Sequence, residues 1–169
     1  MARTRAVTYV ERGRHPHWMP AGWGGLIAGV VFLIAEMALV ATIGGASPWG
    51  PPRMIAAIVL GEGVLPPPAT FDFGIVITAM VVHFALSVIL GFVLAFLIYR
   101  LDLTWALVVG LAFGLAVYLI NFYVLTAVFP WFAMARNGIT IFAHLLFGLV
   151  LAWSYKGLAR RESAQHIEA

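Results

Sequence analysis

The sequence predicts an all-α protein: a bundle of four transmembrane helices built from two parallel two-helix repeats, with a short interfacial helix in the first outer loop. Three observations carry this reading. Of 169 residues, 63% are hydrophobic and only 10% charged, with a mean hydropathy of +0.99, whereas a soluble domain of this size needs far more polar surface. Apolar runs long enough to cross a hydrocarbon core about 30 Å thick occur at about 23–43, 73–98, 105–128 and 138–158. Backbone polar groups in hydrocarbon must be paired within the segment, so these runs are helices rather than strands. The two halves also match: Gly25, Gly29 and Glu36 recur 85 positions later as Gly110, Gly114 and Asn121. His83 and His144 each lie 17 residues before an arginine, Arg100 and Arg161. Each repeat has two spans, so both copies enter the membrane from the same side, related by an axis along the membrane normal.

The elements follow in order. Residues 1–22 are basic and rich in Pro, His and Trp, and read as a cytoplasmic tail on the bilayer surface. His15-Pro-His17 lacks a third or fourth metal ligand nearby and reads as solvated. The first span is too long for a signal-peptide core and is expected to stay as an uncleaved anchor. After it come Ser47-Pro-Trp-Gly-Pro-Pro52, Arg53–Leu60 and Gly61. Prolines 51 and 52 suit a helix start and Gly61 a helix end. That predicts a helix at about 52–60, too short to span, lying at the interface and capping the outer face. The inner connection, about Tyr99 to Thr104, is so short that spans two and three are expected to be antiparallel neighbours. The second outer connection, Phe129 to Gly138, carries another Pro-Trp pair. Residues 159–169 read as a cytoplasmic tail, frayed from Glu162 onward.

Charge sets the expected orientation. Of the ten Lys and Arg residues, only Arg53 and Arg136 fall in the outer connections, which places both termini in the cytoplasm. The net charge of +3 points to anionic lipid headgroups, not nucleic acid, since no base-stacking or base-reading motif is present. Trp23, Trp49, Trp105, Trp131 and Trp153 sit near predicted interfaces as an aromatic belt. With no cysteine, disulfides, thiolate metal sites, iron–sulfur clusters and cysteine nucleophiles are excluded. No phosphate-binding loop, Ser-His-Asp order or zinc-protease histidine motif is present, so no enzyme is expected.

The candidate site lies inside the bilayer. Residues eleven apart on a helix share a face, so Gly25, Gly29 and Glu36 share one face, as do Gly110, Gly114 and Asn121. His83, Ser87 and Gly91 follow at spacing four, as do His144 and Gly148. Small residues let backbones approach closely, which makes Gly25, Gly29, Ser87, Gly91, Gly110, Gly114 and Gly148 the helix-packing positions. At about 1.5 Å rise per residue, Glu36, His83, Asn121 and His144 fall roughly 20–26 Å from the inner surface. They are expected to form one intramembrane polar site in the outer half of the bilayer, with His83 facing His144 and Glu36 facing Asn121. An ionised carboxylate there costs several kcal/mol unless paired or protonated. Arg53 and Arg136, each following a Pro-Trp pair, are expected to hold lipid phosphates or to gate the site from the outer rim.

These residues resemble a group of small bacterial four-span inner-membrane proteins. The resemblance spans residues 24–158 and rests on Ser47-Pro-Trp, Arg53-Met-Ile-Ala-Ala-Ile-Val-Leu-Gly61, Leu65-Pro-Pro-Pro, Asn121-Phe-Tyr, Phe129-Pro-Trp-Phe and Ile141-Phe-Ala-His144-Leu-Leu-Phe-Gly148. It implies the bacterial inner membrane as location. Some such proteins carry an automatic sodium:proline symporter label, but sodium–solute symporters have ten or more helices and their motifs are not found here.

Three functions fit. The first is small-ion or proton-linked transport by a homo-oligomer around Glu36, His83, Asn121 and His144. The second is a non-enzymatic accessory subunit of a larger membrane complex, with the polar cluster fixing its fold. The third is a cofactor module, with His83 and His144 ligating haem b, or a divalent metal joined by Glu36. The glycine faces leave little room for a macrocycle, so no cofactor is the leading expectation.

Overall fold

The computed structural model describes residues 15–168. The part of the expected tail bearing Arg3, Arg5, Arg12 and Arg14 lies outside the described residues. The described chain is all-α: α1 (Trp18–Thr42), α2 (Gly50–Leu60), α3 (Phe73–Ile98), α4 (Leu103–Leu119) and α5 (Gly138–Glu168). A π-helical turn, Ile120–Val124, prolongs α4, and a 3-10 turn, Pro130–Ala135, precedes α5. Among the described residues, four helices are long and apolar enough to cross a membrane, and α2 is a shorter apolar helix between the first two. This is a multi-pass membrane protein, with apolar flanks that face lipid.

Local chemistry sets the boundaries. Asp72 caps α3 by accepting from Ile75 N at 2.9 Å, and Asp102 caps α4 by accepting from Trp105 N at 3.0 Å. Asn137 does the same for α5, accepting from Thr140 N at 3.1 Å. Each side-chain oxygen satisfies a first-turn N–H that the helix leaves orphaned. Pro51 and Pro52 open α2 and Gly61, at φ 80°, closes it, so α2 begins slightly before the expected 52. At the other end of the bundle, Lys156 Nζ on α5 donates to the Ile98 and Tyr99 carbonyls at 3.2 and 3.3 Å.

Two helices run further than expected. α1 begins at Trp18 rather than 23, because Pro20 falls in the first turn, where its missing N–H is not needed. α5 continues through the segment expected to fray. Its extension is tied to the start of α1: His17 Nδ1 lies 2.8 Å from Glu162 Oε2, and His17 N donates to the Tyr155 hydroxyl at 3.3 Å. His17 is therefore engaged with α5 rather than simply solvated.

Packing runs in the order α3, α1, α5, α4. A Cβ added at Gly25 would strike the Ser87 carbonyl and Val88 Cα, and one at Gly91 would strike the Ala21 carbonyl. The α4–α5 crossing is equally close: Gly110 and Gly148 lie against each other's backbone, and Gly114 lies against the His144 carbonyl. These crossings draw α3 onto α1 and α4 onto α5, and α1 packs on α5 to join the pairs. The expected pairing of spans two and three is corrected by this arrangement. α3 and α4 are joined by a short turn yet touch little, because the small-residue faces point elsewhere. Toward the termini the bundle is filled by an apolar core of Leu94, Ile98, Phe147, Leu151 and Tyr155. At the α2 end it is not.

Candidate functional site

Where α3 and α4 diverge, a cavity of about 620 Å³ opens beneath α2. α1 and α5 form its floor, α3 and the end of α4 its two walls, and α2 with the segment before α5 its roof. Its lining is mainly apolar and aromatic. Glu36, His83, Asn121 and His144 all border it, together with Thr140 and Asn137. The flank between α3 and α4 is open: Leu86 and Ile89 on one wall and Ile120 on the other line the cavity yet are 47, 55 and 49% exposed.

Glu36 is 5% exposed. Its Oε1 accepts from the Thr140 hydroxyl at 2.9 Å, whereas its Oε2 is buried without a hydrogen-bond partner. Only one other buried side-chain polar atom among the described residues lacks a partner, Ser154 Oγ in the opposite half. The expected facing of Glu36 and Asn121 is thus replaced by a Glu36–Thr140 bond. The reason is register: the α1–α5 contact brings Thr140, one turn before His144, against Glu36.

The two histidines are used differently. His83 Nε2 donates across to the Gly29 carbonyl on α1 at 2.9 Å. His144 Nδ1 donates to the Thr140 carbonyl of its own helix at 2.8 Å, four residues back. These carbonyl partners place the proton on those nitrogens in the neutral rings, so His144 Nε2 keeps its lone pair. Asn121 Nδ2 reaches it only loosely, at 3.5 Å. The two imidazoles share one aromatic neighbour. Phe32 contacts both, stacked on His83 with centroids 5.4 Å apart and edge-on to His144 at 4.9 Å.

This geometry does not suit the haem or metal readings. Phe32 packs against both imidazoles, where a haem ligated from two sides would need their nitrogens turned to one iron, and both rings already spend a nitrogen on a backbone carbonyl. Among the described residues no three His, Asp or Glu side chains are grouped to hold a metal ion.

Asn121 sits within the π-helical turn Ile120–Val124. Such turns widen the helix and leave carbonyls to be satisfied elsewhere. Arg136 supplies the partner: its Nε donates to the Phe122 carbonyl at 2.6 Å and its Nη2 to Thr126 Oγ1 at 3.1 Å, with the guanidinium over the Tyr123 ring at 4.5 Å. Arg53 donates to the Val64 and Thr70 carbonyls at 2.7 and 3.1 Å. Both arginines therefore fasten loops around the cavity, and neither pairs with Glu36. Each finds its partners in loop carbonyls close to it in the chain.

The sequence reading missed Thr140, Asn137 and Phe32. Asn137, Thr140 and His144 are spaced three and four apart and so share one face of α5, a signal that was available. Nothing in the sequence points to Phe32, one aromatic among many. Trp131, expected in the interfacial belt, is instead buried, with its Nε1 donating to the Met54 carbonyl at 3.0 Å. It pins the second connection to α2 and closes the roof. Trp23, Trp105 and Trp153 stay exposed, as belt residues would. No protein-family profile, curated protein or solved structure matches the chain.

Proposed function

We propose that the protein binds a small solute in the intramembrane cavity and couples its passage to a proton carried by Glu36. The observation that carries this reading is the half-satisfied carboxylate. Glu36 borders the cavity with Oε1 held by Thr140 and Oε2 buried without a partner. Leaving a carboxylate oxygen unpaired in an apolar setting costs several kcal/mol, and a purely structural residue would have been relieved of that cost by a simple substitution to Gln or Leu. A π-turn beside it, a feature frequent at functional sites, supports the same view.

The packed apolar core toward the termini closes the cavity at that end, so a single chain offers an entrance without an exit. A path across the membrane therefore requires rearrangement or a second copy apposed along the α3–α4 flank, and the reading includes a homo-oligomer. It also takes the two glycine crossings as descendants of one duplicated helix pair. The membrane is the bacterial inner membrane, with both termini cytoplasmic, as the resemblance and the arginine bias suggest. A second reading rests on the same open flank: a helix of a larger complex would cover it, with this chain as an accessory subunit.

Proton flux tests the first reading. In proteoliposomes with a trapped pH dye and a potassium diffusion potential, the wild-type chain is expected to exceed the protein-free background. Glu36→Gln should return flux to background while the protein keeps its helical content. Equal flux in the two proteins, or none in the wild type, would remove the proposal.

A further inference from the structure

The chemistry of the cavity narrows what it binds. Beside the neutral Ser87, Asn121, Asn137 and Thr140 it carries two acceptors without a close donor: Glu36 Oε2 has no partner, and His144 Nε2 has only the distant Asn121 amide. No Lys or Arg lines the cavity. The two arginines nearest in the connections are engaged with loop carbonyls, and the His17–Glu162 ion pair lies at the other end of the bundle. An anionic solute would meet a carboxyl and no cation.

A hard inorganic cation such as Ca²⁺ or Mg²⁺ fits poorly as well, because such ions take six or more oxygen ligands and the walls here are mainly hydrocarbon and aromatic rings. An organic cation fits both features. Its N–H satisfies the carboxylate, and its apolar body replaces lipid against the aromatic walls, where ring faces attract ammonium charge. A cavity of about 620 Å³ falls in the range that holds drug-sized molecules. Entry comes from the bilayer, through the flank bordered by Leu86, Ile89 and Ile120.

We propose that the cavity binds a lipophilic ammonium compound, its N–H donating to the Glu36 carboxylate and its apolar body lying against Phe32, Phe122 and Phe147. This rests on the solute-binding reading above and names the solute class.

The test compares two probes of matched shape, 1-naphthylmethylammonium and 1-naphthylmethanol, by saturation binding to the full chain in lipid nanodiscs, with empty discs as blank. The wild type is expected to bind the ammonium at least tenfold more tightly than the alcohol. Glu36→Gln keeps side-chain shape and an oxygen for Thr140, so it should fold and lose that tenfold preference. Leu86→Trp, at a half-exposed position on the open flank, fills the cavity and should abolish saturable binding of both probes. Unchanged ammonium affinity in Glu36→Gln would overturn the proposal. So would equal wild-type affinity for the two probes that Leu86→Trp abolishes, although the cavity would then stand as a solute site blind to charge. Absence of saturable binding by either probe would overturn this proposal and the binding reading beneath it.

Discussion

The α1–α3 and α4–α5 crossings are built alike and spend their polar residues differently. In both, glycines bring backbone onto backbone. At the first crossing the histidine is a strut, since His83 ties α3 to α1 through the Gly29 carbonyl. At the second, His144 bonds within its own helix and leaves Nε2 toward the cavity. The carboxylate of α1 bonds not to α3 but to Thr140 on its other neighbour, α5. Similar scaffolds thus carry one polar residue that holds the fold and others that remain available. Position in a repeated pattern does not assign a role; the hydrogen-bond partner does.

The largest effect should come from breaking either scaffold. Gly148→Leu drives a side chain into the Gly110 backbone, where neither helix can give. A loss of about 3 kcal/mol or more is expected, seen as aggregation or a much lower midpoint in thermal unfolding in detergent. Gly25→Leu should behave alike, and a mild outcome for one alone would show that the crossings are not equivalent. Gly50, with nothing within 4 Å of an added Cβ, is the control.

Next is the bond that joins the halves. Thr140→Val removes the only donor to Glu36 and leaves both carboxylate oxygens unpaired. A cost of about 1–3 kcal/mol is expected, and Glu36→Gln in the same background should recover part of it. Stability unchanged by Thr140→Val would mean that the carboxyl finds another donor, and the halves would not be joined in this way.

The histidines sharpen the contrast directly. His83→Phe should cost about 1 kcal/mol through loss of an interhelical bond, whereas His144→Phe should cost less, because its bond stays within one helix. Equal or reversed losses in denaturant unfolding would contradict the assignment of strut and free acceptor. The smallest effect is expected at the far end, where His17→Ala removes a partly exposed pair with Glu162 worth at most about 1 kcal/mol.

Much of this architecture was legible in the sequence, and the reasons are physical. Apolar run length announces a spanning helix, and α3 begins and ends where its run does. Prolines 51 and 52 with Gly61 bracket α2 because each has a single backbone preference. The small-residue faces were readable from spacing, and they dictated which helices cross. What they did not reveal was the order of the helices, since loop length suggested an α3–α4 contact that the packing faces do not support. The site was legible as a set of polar residues in apolar helices. Its wiring was not: Thr140 looks like an ordinary first-turn residue until α1 lies beside it, and the roles of Arg53 and Arg136 depend on carbonyls exposed by irregular turns.

The most direct test of the account is whether Glu36 presents a reactive carboxyl to the bilayer through the open flank. A lipid-soluble carbodiimide, applied to the full chain in nanodiscs and followed by peptide mass analysis, answers it. The account predicts an adduct on Glu36 that forms in the wild type and is suppressed by Leu86→Trp or by 1-naphthylmethylammonium. Glu36 left unmodified in the wild type, or modified equally with the flank filled, would contradict it.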